Sequence, residues 1–419
     1  MNKVEVGLSA SAAPSPVPTP TDVDITPGPA LLEGIADGHT LAAHRRQYGE
    51  IPRFTLEALS AMIETVALRG RGGAAFPFAR KLSAAAAGRR PVVVVNLAEG
   101  EPASAKDSAL ALTRPHLILD GAVAAARALR ARELHVVLPG DRRLVGEAMR
   151  LALAERDDAL AVVQHEADSR FVAGQARAVI ELMSGRPNLP VTAWTPEAVK
   201  GYRGRPTLLS NAETWAQVGR LVLRGPTAYR RHGLQAEPGT TLLTLASTRD
   251  QPRVIEVEYG TRLRDVLPLE RQGRPLLVGG FHGSWATWPT VSNASVSVER
   301  MIALGIPLGA GVLLSTAGHE CPVALTSRIV DHLAGQSAGR CGPCFNGLPA
   351  LAAGVRAVHD GYGGTERLDQ LSAVLVRRGA CAHPDGTVRL VRSLLAAFPA
   401  DVAAHASGRP ERCEWTVAS

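Results

Sequence analysis

The pattern of hydrophobic and polar positions predicts alternating strands and helices in the first half of the chain. Continuous apolar runs at 91–96, 133–140 and 159–164 are typical of buried strands. The stretches 115–131 and 142–156 repeat apolar residues with a helical period. Strands joined by helical crossovers pair in parallel. The sequence therefore predicts an α/β domain with a parallel sheet covered on both faces.

The pattern changes in the second half of the chain. Short strand-like segments at 241–247, 253–260 and 275–280 are separated by Gly and Pro, which predicts a small β-rich module, and beyond it the pattern is mostly helical. The N-terminal segment is rich in Ala, Pro, Ser and Thr, which predicts disorder. The predicted organisation is a disordered tail (1–35), an α/β domain (36–235), a β module (236–320) and a helical domain (321–410).

Charge and composition argue against two classes of protein, those that bind nucleic acids and those that span a membrane. The chain of 419 residues carries a formal charge of +7 and a sequence pI of about 9.5. Its basic residues are scattered among acids and are not interleaved with aromatic residues, so we predict no nucleic-acid binding. The sequence shows neither a secretory signal nor an apolar run long enough to span a membrane. We therefore predict a cytoplasmic location without a transmembrane segment. Peripheral membrane association through a partner is compatible with the sequence.

A glycine-rich loop stands directly before a helical stretch. Gly70, Gly72 and Gly73 occupy a turn where backbone amides can approach a ligand, and a helix start favours anions. The phosphate of a nucleotide is the natural guest, and Lys81, one turn into the helix, could reach it. The spacing fits neither a P-loop nor the Rossmann fingerprint. Taken alone, the loop is equally compatible with a tight turn before a helix.

Polar residues follow the predicted strand at 91–96. Asn96, Glu99 and Glu101 stand directly at its end. In parallel α/β sheets, ligands bind beyond the carboxyl ends of the strands. Amide and carboxylate groups at this position can recognise the edge of a flavin ring or ribose hydroxyls. The alternative interpretation is a solvated loop without a ligand.

The two segments together resemble one family, the flavin subunit of respiratory complex I and the related diaphorase subunits of NAD-reducing hydrogenases and formate dehydrogenases. That family carries G-R-G-G-A-G-F-P with a downstream lysine, then N-x-D-E-G-E-P after a strand. This chain has GRGGAAFP at 70–77 and NLAEGEP at 96–102. The segment 204–214 is similar to the family's G-K-P-T-V-V-N-N-V-E-T. With the C-terminal cysteines, the resemblance covers about residues 50 to 400 in order.

The resemblance implies an FMN-binding domain and, at 236–320, a ubiquitin-like β-grasp module of the SLBB type. It implies that NADH stacks its adenine on Phe76, with Glu101 nearby. A hydride would pass from NADH to the flavin, and single electrons would leave through a metal cluster. The residues that the resemblance assigns to FMN are Gly70, Gly72, Gly73, Ala74, Lys81, Asn96, Glu99, Asn211 and Thr214.

Several positions depart from the family pattern. Ala98 replaces the aspartate of N-x-D-E-G-E-P. The family's C-G-E-E segment reads Ala-Gly-Gln-Ala here, so Gln175 and Ala176 replace two carboxylates near the flavin and nicotinamide. Ala84 stands where a second adenine-stacking aromatic residue is usual. The sequence therefore supports FMN binding better than NADH binding.

All five cysteines lie in the last quarter of the chain, a distribution that indicates metal or redox chemistry and not a disulfide framework. Cys341 and Cys344 form a C-x-x-C pair, which occurs at iron–sulfur, zinc and thiol-redox sites. A thioredoxin-like site requires a preceding strand, and the pattern here is helical. A zinc site needs four ligands, to which His383 beside Cys381 could contribute. Cys413 is interpreted as a free thiol or a buried hydrophobic residue.

The resemblance points to an iron–sulfur cluster in the C-terminal region. The family's segment S-C-G-x-C-x-P-C-R-x-G is followed by a fourth cysteine, but Ala338 takes the place of the first cysteine here. We predict a cluster on Cys341, Cys344 and Cys381, as an incompletely ligated 4Fe–4S cluster or a 3Fe–4S cluster. Absence of a cluster remains an alternative, and so does a loop that folds back to bring in Cys321.

Three functions follow from these observations. The first is an electron-transfer flavoprotein, a diaphorase-like oxidoreductase that passes electrons from NADH through FMN and a cluster to a partner, such as a ferredoxin-like protein or another redox subunit. The second keeps the flavin or the cluster and takes electrons from another donor. The third is a docking subunit that has lost its cofactors, which the substitutions at Gln175, Ala176 and Ala338 would favour.

Overall fold

The computed structural model describes residues 15–17, 23–318 and 320–415. They fall into two compact units, one of residues 17–318 and one that includes residues 320–415. The strands are β1 (Asp24–Ile25), β2 (Val92–Asn96), β3 (Glu133–Pro139), β4 (Ala161–Ala167), β5 (Thr207–Asn211), β6 (Thr240–Ser247), β7 (Arg253–Glu258), β8 (Leu276–Val278), β9 (Ser284–Ala286) and β10 (Val312–Ser315).

Helices connect these strands in the larger unit and make up the second unit. Those of the larger unit are α1 (Leu41–Tyr48), α2 (Leu56–Thr65), α3 (Phe78–Ala86), α4 (Lys106–Thr113), α5 (Pro115–Ala128), α6 (Arg143–Ala154), α7 (Ala176–Met183), α8 (Ala212–Tyr229), α9 (Leu263–Val266), α10 (Trp288–Asn293) and α11 (Val298–Ala303). Those of the second unit are α12 (Pro322–Gly335), α13 (Leu348–His359), α14 (Glu366–Leu375), α15 (His383–Ala397) and α16 (Pro399–Ala406).

The predicted parallel sheet is confirmed. Its strand order is β4-β3-β2-β5, and each neighbouring pair is parallel. Every residue of β2 is buried, because helices cover both faces of the sheet. The register places Asn96 opposite Asn211, so the polar ends of β2 and β5 lie side by side. The sequence pattern did not identify β5 as a strand.

Helices α5 and α8 pack closely enough that their contact requires glycine. A Cβ atom at Gly121 would lie 2.0 Å from the carbonyl oxygen of Trp215, and one at Gly219 would lie 2.2 Å from the carbonyl oxygen of Leu117. This approach brings the Trp215 indole to the sheet, where its Nε1–H donates to the Val94 carbonyl over 2.9 Å. The fully buried indole fixes the start of α8 against β2.

The predicted β-rich module is a second, mixed sheet with the order β1-β7-β6-β10-β8-β9. Strands β6 and β10 are parallel at its centre, and β7 and β8 flank them antiparallel. Its inner face buries a separate apolar cluster that includes Leu243, Val278 and Leu313. The assignment of this sheet to the SLBB type remains a prediction.

The prediction of a disordered tail through residue 35 is wrong for residues 23–35. Strand β1 pairs with β7, and Leu31 and Leu32 are fully buried. The backbone amides of Ala30, Leu31 and Leu32 donate to the carboxylate of Glu256 over 2.7–3.0 Å. The buried carboxylate of Glu256 therefore satisfies the backbone amides of a segment whose sequence shows no helical or strand periodicity. Residues 1–14 and 18–22, which belong to the same prediction, lie outside the described residues.

The second unit is helical, as predicted. Residues 320–415 contain helices and no strand, so the C-x-x-C pair lacks the strand that a thioredoxin-like site requires. A π-helical turn, Pro343–Gly347, carries Cys344 into α13. Helix α15 begins at His383, two residues after Cys381. Among the described residues, no helix is both long and apolar enough to cross a membrane.

Candidate functional site

The glycine loop lies at the carboxyl edge of the parallel sheet. The backbone amide of Arg71 donates to the Thr214 hydroxyl over 2.8 Å, and that hydroxyl donates to the side-chain oxygen of Asn211 over 2.5 Å. A Cβ atom at Gly72 would lie 3.9 Å from the same Asn211 oxygen. Because Asn211 is the register partner of Asn96, the glycine loop and the acidic turn meet at one edge.

Three consecutive backbone amides in this loop are unpaired within the described part of the chain. Within the part of the chain described, no hydrogen bond involves the amides of Gly72, Gly73 or Ala74, and these residues are exposed. Gly73 adopts the left-handed region with φ +97°, which favours glycine. Amides held in a turn beside a helix start form a concave anion site. The loop therefore has the donors that a phosphate group requires.

The turn after β2 is joined to the segment 173–176. The Asn96 amide donates to the Gly174 carbonyl over 2.8 Å, and its side-chain oxygen accepts from the Ala98 amide over 3.1 Å. A Cβ atom at Gly174 would lie 3.5 Å from that of Ala98. The structure thus brings Gln175, which follows Gly174, to the same edge of the sheet. Two departures from the family pattern, Ala98 and Gln175, are neighbours in space.

Glu99 lies inside the protein, beneath the turn. It adopts φ +37° and its carboxylate accepts hydrogen bonds from the backbone amides of Asp107 and Ser108 at the start of α4. Arg142 donates to it over 2.5 Å. Burial opposes ionisation, but Arg142 and Lys106 hold the pKa of Glu99 below its usual range. Its observed contacts fix the turn in place, and its predicted contact with flavin remains a prediction.

Charged groups of opposite sign are packed together beneath the glycine loop. The Lys106 ammonium contacts Asp107 and Glu213, each over 3.0 Å. Arg71 approaches Glu213 at 3.6 Å and lies over the ring of Tyr259. Burial disfavours the lysine charge, but the carboxylates raise the pKa of Lys106, so it stays protonated. These buried pairs anchor the loop at Arg71, and removing one partner would be costly because it would leave an uncompensated buried charge.

A cleft opens between the glycine loop and the second sheet, within the same compact unit. Its mouth is open to solvent. Its walls combine the loop, the charged pairs and an apolar stretch before β10. The lining includes Gly70, Arg71, Gly73, Ala74, Lys106, Glu213, Tyr259, Leu308 and Gly309.

Two residues predicted to bind ligands flank the glycine loop. Lys81 lies on α3, and Phe76 lies just before that helix. The Lys81 ammonium donates to the Leu209 carbonyl on β5 over 2.9 Å and forms an ion pair with Glu197 at 3.1 Å. Lys81 therefore reaches the strand edge beside the loop, where its charge is shared with an acid. The Phe76 ring is 49% exposed, so part of it is open to stack on a ligand.

Glu101 connects the turn to the second sheet. Its carboxylate accepts from the amides of Phe281 and Ala103 over 2.9 and 3.3 Å. A Cβ atom at Gly280 would lie 2.6 Å from this carboxylate, so the backbone there must pass close. Burial raises the pKa of Glu101 to about 8. Glu101 therefore links the turn after β2 to the second sheet. Its contact with NADH remains a prediction.

Two of the predicted cluster cysteines, Cys341 and Cys381, lie near the third, Cys344, in the second unit. Burial raises the pKa of the Cys344 thiol to about 12, and the neighbouring Cys341 and Cys381 contribute in the same direction. Cys344 also interacts with the backbone amide of Ala338, the position where the family has its first cysteine. Position 338 therefore lies beside Cys344. His383 is buried and donates its Nε2–H to the Leu333 carbonyl over 2.8 Å, so that nitrogen is not available to a metal.

The alternative in which Cys321 completes the cluster is wrong. Cys321 is the N-cap of α12, whereas His383, two residues after Cys381, binds Leu333 near the other end of that helix. A helix of this length spans about 20 Å. Cys321 instead contacts His405 and Cys413. Cys413 is buried and forms no disulfide, as predicted. Its thiol donates a hydrogen bond to the sulfur of Cys321.

Residues 63–220 match a family model described as the Nuo51 FMN-binding domain, and residues 324–405 match one described as the NADH-ubiquinone oxidoreductase-F iron-sulfur binding region. Among curated proteins, the F subunit of NADH-quinone oxidoreductase from Mycobacterium tuberculosis is 30% identical over 375 residues, which cover 83% of this chain and 84% of that protein. The chain belongs to the family of NADH-quinone oxidoreductase F subunits. The predicted resemblance and the oxidoreductase class are thereby confirmed.

Another F subunit and a solved structure extend the match. The F 2 subunit of NADH-quinone oxidoreductase from Rhizobium meliloti is 28% identical over 423 residues, covering 92% of this chain and 99% of that protein. A crystal structure of an NAD+-reducing [NiFe]-hydrogenase in the air-oxidized state superposes with a TM-score of 0.80 and 25% identity, over 92% of this chain and 68% of that chain. The predicted α/β fold with a second sheet and a helical iron–sulfur region is confirmed.

The residues present fit the two cofactors of this family to different degrees. Free amides in the glycine loop and the paired Asn96 and Asn211 suit FMN. The iron–sulfur region offers three grouped thiols and an alanine at the fourth position. Sequence reasoning did not assign a role to Arg142. It follows β3 closely, so the rule that ligands lie beyond strand ends could have drawn attention to it.

Proposed function

We propose that this chain takes electrons from NADH through FMN and passes them through an iron–sulfur cluster to a partner redox protein. One observation carries the proposal: the free amides of the glycine loop and the Asn96–Asn211 pair share one edge of the parallel sheet. That edge is the place where α/β proteins bind nucleotides. FMN, when bound, accepts a hydride and releases electrons one at a time.

The residues of this chain hold and orient the reactants in the proposed reaction. The amides of Gly72, Gly73 and Ala74 would bind the FMN phosphate, and Lys81 at the strand edge would add positive charge. Asn211, fixed by its bonds to Asp107 and Thr214, would lie near the phosphate. These groups are already held by the buried ion pairs, so little order must be gained on binding.

The nicotinamide nucleotide would approach from the exposed side of the loop. Phe76 offers an aromatic face there, and Glu101 lies at the end of the turn. Stacking on an aromatic ring contributes about 1–3 kcal/mol for a nucleobase. Because the ring is exposed, truncating it should weaken NADH binding without disturbing the fold.

The onward path would run through the thiols of Cys341, Cys344 and Cys381. The curated relatives are NADH-quinone oxidoreductase components, and the matched crystal structure is an NAD+-reducing hydrogenase. We therefore propose that the electron acceptor is a partner redox subunit or a ferredoxin-like protein. The cytoplasmic location and the peripheral association through such a partner remain predictions.

The test is anaerobic reduction by NADH of the full chain purified with its cofactors. We expect flavin absorbance to bleach on addition of NADH, and the variant Phe76→Ala to raise the KM for NADH about tenfold, equivalent to about 1.4 kcal/mol. Phe345→Ala is the matched control, because Phe345 is also exposed but lies in the second unit. An unchanged KM in Phe76→Ala would contradict the assigned role of Phe76.

A second candidate keeps the cofactors and uses a donor other than NADH. It is favoured by Gln175 and Ala98, which lie together where the family has carboxylates. If dithionite bleaches the flavin and NADH does not, this candidate replaces the first. If the anaerobically purified protein contains neither iron nor flavin, both redox functions are excluded and a docking role remains.

A further inference from the structure

A buried group of metal-ligating side chains lies outside the predicted cluster site. Cys321, His405 and Cys413 have their ligand atoms within 4.8 Å of one another, and each residue is at most 6% exposed. The Nε2 atom of His405 lies 3.3 Å from the sulfur of Cys321, and the Cys413 sulfur lies 3.1 Å from the same sulfur. We propose that these three residues bind a zinc ion that fastens the C-terminal segment to the start of α12.

The histidine is oriented as a ligand. Its Nδ1 atom lies 2.9 Å from the carbonyl oxygen of His359, so Nδ1 carries the proton and Nε2 presents a lone pair to the two thiols. Histidines that bind zinc usually donate their second nitrogen to a carbonyl or carboxylate in this way. The ring of His359 stacks on that of His405 at 5.2 Å and holds its plane.

Cys321 is placed to act as a thiolate. It is the N-cap of α12, and its sulfur accepts a hydrogen bond from the amide of Val323 over 3.3 Å. The positive end of a helix stabilises a negative sulfur.

Three separate segments meet at the group. Cys321 precedes α12, His405 lies in the last turn of α16, and Cys413 follows the short helical turn Pro410–Arg412. The Asp401 carboxylate accepts from the amide of Glu414 over 2.8 Å, which fixes the chain beside Cys413. A metal bound here would therefore cross-link the end of the chain to the rest of the second unit.

The ligand set selects the metal. Two thiols and one imidazole are the donors that zinc prefers, and a fourth position would be filled by water or another oxygen ligand. A simple disulfide between Cys321 and Cys413 would not explain the orientation of His405, and it would require an oxidant. The group lies at the opposite end of α12 from Cys381, so it is distinct from the predicted cluster on Cys341, Cys344 and Cys381.

The test is metal analysis of the full chain purified anaerobically and freed of loosely bound ions with a weak chelator. We expect close to one zinc per chain and an X-ray absorption spectrum with sulfur and nitrogen ligands. The variant His405→Gln should lower zinc affinity at least tenfold and leave iron unchanged. Cys341→Ser is the reciprocal control, because it should lower iron and leave zinc unchanged.

A second readout separates metal binding from simple loss of structure. Cobalt(II) added to the zinc-free chain should give thiolate charge-transfer bands that disappear in Cys413→Ser, while far-ultraviolet circular dichroism of that variant stays that of the parent. Zinc content unaffected by His405→Gln would overturn the proposal. Recovery of a Cys321–Cys413 disulfide peptide from anaerobically alkylated protein would also overturn it.

Discussion

The backbone amide of Arg71 donates to the hydroxyl of Thr214 over 2.8 Å, which ties the glycine loop to the first turn of α8. The same hydroxyl donates to Asn211, so one buried side chain positions both the loop and the end of β5. The geometry of the proposed flavin site thus depends on a threonine that is itself buried beneath the loop.

Replacing Thr214 by valine should weaken FMN binding. The variant Thr214→Val keeps the shape of the side chain but leaves the Arg71 amide without its acceptor, a loss of about 1–3 kcal/mol for a buried donor. We expect the Kd for FMN to rise about tenfold in fluorescence titrations of flavin-free protein. Thr65→Val is the control, since its hydroxyl bonds Ala61 at the exposed end of α2. Equal Kd values would show that the loop does not rely on this bond.

A glycine at position 75 should stabilise the chain. Ala75 adopts φ +48°, a region that costs a residue with a Cβ about 1–2 kcal/mol, and the family pattern has glycine there. We expect Ala75→Gly to raise the free energy of unfolding by about 0.5–1 kcal/mol in urea denaturation. Ala148→Gly in α6 should have the opposite sign, with a loss of about 1 kcal/mol, because Ala148 is within a helix. A loss in both variants would contradict the strain at Ala75.

Glu101 should make stability fall as the pH rises. Burial raises its pKa in the folded chain to about 8 from an ordinary value of 4.5, so the folded state holds a proton that the unfolded state releases. The stabilisation is complete below pH 4.5 and declines up to about pH 8, by at most about 1.4 kcal/mol per pH unit. We expect Glu101→Gln to remove this slope in urea denaturation between pH 5 and 8. Parallel curves for variant and parent would contradict it.

Restoring a cysteine at position 338 should strengthen the cluster. The Ala338 amide contacts Cys344, so a thiol at position 338 would lie beside that predicted ligand. We expect Ala338→Cys to raise iron and sulfide content towards a complete 4Fe–4S cluster, and to slow loss of visible absorbance in air several-fold. Ala353→Cys adds a thiol on the exposed side of α13 and should change neither quantity. An equal effect of both variants would point to non-specific thiols.

Restoring a carboxylate at position 175 should show whether this position takes part in the use of NADH as electron donor. Gln175 follows Gly174, whose carbonyl accepts from Asn96 at the sheet edge. If NADH is the donor, Gln175→Glu should change the KM for NADH while leaving the Kd for FMN within about twofold, since the phosphate amides lie elsewhere. Gln272→Glu, in the second sheet region, is the control. No effect on NADH kinetics would show that position 175 lies outside the nicotinamide site.

Much of the parallel sheet was determined by local pattern. Runs such as that of β2 are buried on both faces, and burial on two faces demands continuous apolar residues, which can be seen directly in the sequence. Strand β5 was missed because its signal, Thr207–Asn211, overlaps a motif and is short. The rule that ligands lie beyond strand ends drew attention to Asn96, and the family resemblance joined Asn96 and the glycine loop as one predicted site.

The sequence by itself determined the family, the two cofactor regions and the missing fourth cysteine, because these are encoded in motifs of neighbouring residues. Only the tertiary structure decided that Glu99 turns inward to Arg142, that Glu256 orders residues 30–32, and that Cys321 joins His405 and Cys413 and not the cluster. Such contacts join residues far apart in the chain, and their partners are selected by packing in three dimensions, which no local pattern records.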